Sequence, residues 1–303
     1  MRSPPCQAYV TLDELVSLRQ SARGPGKRAQ AMSFHQHSGL ARSRRRGQGI
    51  EFEEIRPYTQ GDDIRSIDWR LSARTGKPLT KVYAEDRDQP VFIIVDQRST
   101  MFFGAKLVFK SVTAARTAAL LGWQTNSQCE RLGGMIMAEQ LYKIKIQHSQ
   151  QSVLSFLAQI VEANTALNVQ SIDTVTLGDT LVRCHKLLPA GTRIVVISDF
   201  FDFDETCSTV LRFLARRGQV QLIMVSDSVE DSMAVKGTVG ISNGVSRKKL
   251  LLSDSPRKQY LLKRQQHHKA LLNWAEQYRS PLLCLTEKDS PGLSTGQLGH
   301  GFD

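Results

Sequence analysis

The chain has 303 residues, 41% of them hydrophobic and 23% charged, with a formal net charge of +11. That length supports one large domain or two modest ones, and no apolar run approaches the roughly 18–20 residues that a membrane-spanning helix needs. The opening MRSPPCQAYV lacks the apolar stretch of a signal peptide, and Cys6, Cys129, Cys184, Cys207 and Cys284 form no CxxC pair or zinc-type Cys–His cluster. The expectation is a soluble cytoplasmic protein with reduced thiols.

In chain order, TLDELVSLRQSA at 11–22 places Leu12, Leu15 and Val16 on one face after a Thr cap, which predicts a short amphipathic helix. Residues 24–49 are rich in Gly, Arg, Ser, His and Gln without periodicity and read as a loop, so that 1–49 form a basic N-terminal helix and loop. Arg44-Arg45-Arg46 and the later Arg247-Lys248-Lys249 suit nucleic acid, anionic lipid or an acidic protein, or form a solvated basic face. His35 and His37 have no third ligand nearby and read as surface residues.

Residues 50–88 are a polar block of short alternating runs and turn signals, and predict a small β-rich extension. Within it Arg56, Asp62, Asp63, Arg65, Asp68, Arg70 and Arg74 alternate in sign around Tyr58 and Trp69. One reading is an ion-pair network that packs Trp69 and pins the N-terminal segment, with the aspartates capping turns. The rival is a hydrolytic site. Asp62, Asp63, Asp68, Glu85 and Asp86 with Lys81 supply the residue types of a two-metal nuclease, and the basic arms would hold its nucleic acid.

Residues 89–288 alternate buried strands (91–96, 132–138, 193–198, 219–225, 281–286) with helical patterns (about 104–125, 150–164, 178–188, 204–217, 256–279). This β–α–β order predicts an α/β fold: a doubly wound, mostly parallel sheet covered by helices on both faces. An Asn-Gly pair within 235–253 predicts an inserted hairpin, and 289–303 read as a disordered tail.

Two strands end in carboxylates, VFIIVD at Asp96 and RIVVISDFFD at Asp199, with Asp202 beyond. Between them TVTLGDTL sets Thr176, Asp179 and Thr180 ahead of a helix. Ligands of such sheets bind at the strands' carboxyl ends, and hard oxygen donors suit a magnesium-type ion, although Asp at strand ends also caps helices. No HxH, HExxH or phosphate-binding glycine loop is present, and GxxxxGK[ST] is absent, which excludes an ATPase of that type and favours binding over catalysis. Phe200, Phe201 and Phe203 follow Asp199 as candidate anchors for a partner.

The stretch GIEFEEIRPYTQGDDIRSIDWRLSARTGKPLTKVYAEDRDQPVFIIVDQRSTM resembles the signature of a bacterial family, domain of unknown function 58. Members of that family resemble von Willebrand factor A domains and are commonly encoded beside MoxR-type AAA+ ATPases. The resemblance implies a non-enzymatic adaptor that acts with such an ATPase to assemble or mature a client protein. It also implies a metal-ion-dependent adhesion site, with hydroxyls two and four residues after the first Asp, a loop residue and an Asp from a second strand end. By position Asp96, Thr100 and Asp199 match, and Asp179 or Thr180 fills the loop position. Arg98 stands where the first hydroxyl belongs. Either its guanidinium replaces the cation and ties Asp96 to Asp199, so that no cofactor is bound, or it turns to solvent and leaves a weak Mg²⁺ site. A partner would then reach Arg98, Asp199 and Phe201 with an acidic side chain.

Overall fold

A computed structural model describes residues 6–23, 50–59, 62–85, 89–104, 107–168, 170–171, 173–228, 237–242, 247–252 and 254–291. His35, His37, Arg44, Arg45, Arg46, Asp86 and most of the predicted tail lie outside these, as do the side chains of Lys81, Glu85, Arg247, Lys248 and Lys249. The chain divides into a smaller unit within 38–88 and a larger one from 1–37 and 89–303.

The elements run α1 (Leu12–Arg23), β1 (Ile50–Pro57), α2 (Trp69–Thr75), β2 (Leu79–Glu85), β3 (Val91–Asp96), α3 (Lys110–Ser127), β4 (Leu132–Met137) and β5 (Leu141–Gln147). There follow α4 (Gln150–Ala166), α5 (Leu177–Leu187), β6 (Arg193–Ser198), α6 (Glu205–Arg217), β7 (Gln219–Val225), β8 (Gly237–Ser242), β9 (Arg247–Leu252), α7 (Asp254–Gln277) and β10 (Leu282–Leu285). Single 3-10 turns sit at Ile64–Ser66, Ser99–Met101 and Glu287–Asp289.

In the larger unit a six-stranded sheet takes the order β5-β4-β3-β6-β7-β10, parallel except for β5 at one edge. Counted along the chain within the sheet, this is the doubly wound order 3-2-1-4-5-6, whose direction reverses between β3 and β6. The predicted fold class is the observed one. Strands β3, β4 and β6 are buried along their whole length, as their unbroken apolar runs require. The edge strand β5, LYKIKIQ, alternates half-buried and exposed residues. Inside β4, a side chain at Gly134 would stand 2.6 Å from the Phe156 ring, so the absent Cβ lets α4 close onto the sheet.

Helix α3 is buried on nearly every side, and its small residues let it pack closely against β3, α1 and α4. Leu15 and Leu18 of α1 join that core, and the Trp123 indole donates to the Leu15 carbonyl at 3.0 Å. A buried polar chain holds the same layer. Asn164 accepts from the Val10 amide at 2.9 Å and donates to Gln97 at 2.9 Å, and Gln97 donates to the Ser111 carbonyl at 2.9 Å. The opposite face is a second core built by α5, α6 and the end of α7, with Leu181, Leu211 and Trp274 buried.

The smaller unit pairs β1 with β2 in antiparallel register. The sequence reading missed α2 inside this block and edge strand β5. The predicted hairpin is the β8–β9 pair, with its 243–246 turn outside the described residues.

Candidate functional site

Strand β3 carries Asp96 to its carboxyl end beside the point where strand order reverses, and the carboxylate is fully buried there. The chain then doubles back, so that the Arg98 backbone amide and Nε both donate to Asp96 Oδ1 at 3.0 Å. Nη2 donates to Asp96 Oδ2 at 2.7 Å and to Asp202 Oδ1 at 2.9 Å. Nη1 donates to Asp202 Oδ2 at 2.5 Å and to the Val175 carbonyl at 3.2 Å. A guanidinium has five N–H donors, and these acceptors use all five. Arg98 is therefore internal, as one of the two readings of its position had it. Its second carboxylate is Asp202, however, where the sequence reading had Asp199.

Asp199 has a different cation. Lys110, at the first position of α3, donates to Asp199 Oδ2 at 2.9 Å, and both side chains are 2% exposed. Asp199 Oδ1 accepts from the Phe201 amide at 3.1 Å and, at 3.5 Å, from Thr100 Oγ1. Ser198 Oγ donates to Asp96 Oδ2 at 2.6 Å and accepts from the Phe200 amide at 3.0 Å. That turn places Phe200 at φ 52°, the left-handed region that a bulky residue rarely adopts, and its ring is buried in the second core. Nearby, Asp173 accepts from the Ser99 amide at 2.7 Å and from its hydroxyl at 2.6 Å.

The electrostatics follow from these pairs. Burial pushes against ionisation of Asp199 and Asp202, but Lys110 and Arg98 respectively outweigh it and hold both carboxyls below the usual range. Burial raises the Asp96 carboxyl in spite of the Arg98 fork. The Arg98 guanidinium is raised by Asp96 and Asp202 against its own burial, and so stays charged. Burial also pushes the Cys184 and Cys207 thiols up to about 12, which keeps both protonated at neutral pH.

These residues do not fit a divalent cation. Both oxygens of Asp96 and of Asp199 already receive donors, and two fixed positive charges stand where a third would enter. Of the other expected ligands, Thr180 is buried and donates to the Thr176 carbonyl, while Asp179 serves the Thr176 cap of α5. Thr100 alone touches the cluster. Among the described residues no group of three His, Cys, Asp or Glu side chains is placed to hold a metal.

Of the residues expected to meet an acidic partner, Arg98 is buried, and the Asp199 side chain is 2% exposed and paired with Lys110, although Asp199 also lines a cleft beside Phe201. Phe201 is half-buried beside a cleft of about 290 Å³ floored by Phe200, Met224 and Leu271 and rimmed by Arg264, His267 and His268. The Phe201 and His267 rings stack with centroids 6.1 Å apart, and His267 Nδ1 donates to the Phe203 carbonyl at 3.1 Å.

In the smaller unit the block 56–74 is an assembly of caps. Arg56 donates to Asp62 at 2.7 Å, and Asp62 accepts from the Thr59 amide and hydroxyl at 2.9 Å. The Thr59 amide, then Arg56, lowers the Asp62 carboxyl to about 2. Asp63 accepts from the Arg65 amide at 3.0 Å, and Asp68 caps α2 by accepting from the Arg70 and Leu71 amides at 3.1 and 3.0 Å. Of the aspartates in the rival nuclease reading, Asp63 and Asp68 thus accept from backbone amides and Asp62 from Arg56 and Thr59, while Asp86 lies outside the described residues. Trp69, expected to be packed, is 65% exposed, because α2 is a single short segment with no buried residue.

Lys110 and Asp173 were missed by the sequence reading. A usable signal for Lys110 was its charge in the first turn of an otherwise buried helix, where a cation opposes the helix dipole unless an acid answers it. Asp173 had none.

A family model described as "Protein of unknown function DUF58" matches residues 54–270. Uncharacterized proteins of Mycobacterium bovis and Mycobacterium tuberculosis are 28% identical over 208 residues, which cover 66% of this chain and 62% of theirs. The chain thus spans less than two thirds of the length of these relatives. Among solved structures, the conserved hypothetical protein BatB of Bacteroides thetaiotaomicron aligns with a TM-score of 0.42 at 13% identity, covering 65% of this chain and 90% of that one. A von Willebrand factor type A structure from Catenulispora acidiphila aligns with a TM-score of 0.32 at 15% identity, covering 64% and 44%. No helix among the described residues is long and apolar enough to cross a membrane.

Proposed function

The chain belongs to the family described as protein of unknown function DUF58, and from that membership we propose a non-catalytic binding protein that meets its partner at the carboxyl-end face of its sheet. Its partners are a MoxR-type AAA+ ATPase and a client that the two proteins assemble or mature in the cytoplasm. One observation carries the reading: the strand-end carboxylates are neutralised from within by Arg98 and Lys110. A carboxylate locked in this way neither activates water nor holds an ion for a partner to complete. What the face does offer is shape and apolar surface, in the cleft beside Phe201. Rings set next to a rigid ionic network suit an anchor residue, since little order is lost on binding.

The test is capture of a MoxR-type ATPase from the same genome by the tagged chain, comparing wild type with Phe201→Ala and His267→Ala, with folding followed by circular dichroism. Loss of capture by folded variants is expected. Undiminished capture by both would move the interface away from this face.

A further inference from the structure

The signature block is unused by the strand-end reading, and its two turns are fastened by side-chain caps. Asp63 closes the 3-10 turn, Asp68 caps α2, and Gly76 ends that helix at φ 68°, a conformation that suits glycine. Ser72 Oγ accepts from the Leu79 amide at 2.8 Å, and the Asp68 amide donates to the Leu79 carbonyl at 2.9 Å, which ties both turns to β2. Seven residues are too few for a helix to persist alone, so these fastenings hold α2 in shape. Trp69 and Ile64 are 65% and 61% exposed, and neither turn buries a side chain.

Charge gives the occupant. Each aspartate of the segment accepts from its own backbone amides or from Arg56, while Arg65, Arg70, Arg74 and Lys77 are exposed. What faces solvent is an indole, an isoleucine and four cations against one exposed carboxylate, Asp63. Trp and Arg dominate binding energy at protein interfaces, and the exposed isoleucine adds apolar surface that a phosphate backbone would not cover. We infer that the 62–77 segment is a second docking surface, which inserts Trp69 into an apolar pocket rimmed by carboxylates on an acidic protein partner. The inference is independent of the cleft beside Phe201.

The indole itself reports the outcome. The other two tryptophans, Trp123 and Trp274, are 2% and 3% exposed, so quenching by acrylamide reads Trp69. The probe is a displayed library of random 12-residue peptides selected on the full chain. Enrichment of peptides that combine Asp or Glu with an apolar residue is expected, with a blue shift of Trp69 emission on binding. Trp69→Ala should weaken the selected peptides about tenfold or more, as the charge-reversed Arg70→Glu/Arg74→Glu variant should at low salt. Three results would overturn the proposal. Selected peptides could bind both variants as well as wild type. A single-stranded oligonucleotide could shield Trp69 while no peptide does. Or Trp69 could be blue-shifted and unquenchable in the free chain, which would mean that the protein covers it itself.

Discussion

The cluster at the end of β3 and the segment from Asp62 to Gly76 are both built of aspartates and basic residues, and they come to opposite ends. At the strand end the carboxylates point at side-chain cations, and the ions cancel in the interior. In the segment the carboxylates point mostly at backbone amides, so that the arginines and Trp69 stay outside. The partner of each carboxylate therefore decides whether a run of charges becomes a core or a surface.

The contrast breaks most visibly at Arg98. Its replacement by Met leaves Asp96 and Asp202 facing each other without a cation and should cost about 3–5 kcal/mol, measured by denaturant unfolding. A loss below about 1 kcal/mol would mean that the fork is ornamental. Acid acts on the same pairs more gently. Asp199 and Asp202 have depressed carboxyls, so their contribution is complete above the ordinary value of about 4 and drains away as pH falls through their folded values. Asp96 is raised, binds its proton more tightly when folded, and offsets part of that loss. Net destabilisation below about pH 4 is expected, and a flat profile there would contradict the pairing.

Asp68→Ala removes a cap from the exposed segment. It should cost about 0.5–2 kcal/mol, seen as faster amide exchange at residues 69–75 with strand β3 unchanged. Trp69→Ala should change stability by no more than about 0.5 kcal/mol, whereas a buried indole would cost about 3–5 kcal/mol. The smallest effect is an expected zero. Millimolar Mg²⁺ should leave the wild-type melting curve in place, and stabilisation that disappears in Asp96→Ala would reinstate an ion.

Strands β3, β4, β6 and β7 were legible almost to the residue, because a strand covered on both faces is apolar along most of its length. Edge strand β5 was not, since LYKIKIQ carries two lysines on its exposed positions. Helix α2 hid behind its arginines, although the Asp68 and Gly76 that bracket it were the clue. At the site, Asp96 and Asp199 were found from their places at strand ends, and Arg98 from its departure from a pattern. Its true partner was not legible, because choosing between Asp199 and Asp202 depends on how the chain turns at Phe200, a φ that no local propensity favours. Trp69 was misjudged by residue type alone. The short capped helix that carries the indole buries none of its own residues.

The two internal cations come from different stretches of the chain, the loop after β3 and the start of α3. A lineage wishing to seat a divalent ion here must lose both. Losing Arg98 alone leaves Lys110 on Asp199, and losing Lys110 alone leaves Arg98 across Asp96, each step with a stranded buried charge. The path between an ion-filled and the present arrangement thus crosses a dip in stability in either direction, which holds each in place. An engineered Arg98→Ser/Lys110→Ala chain, made in one step, is the variant in which Mg²⁺ should begin to raise the melting temperature.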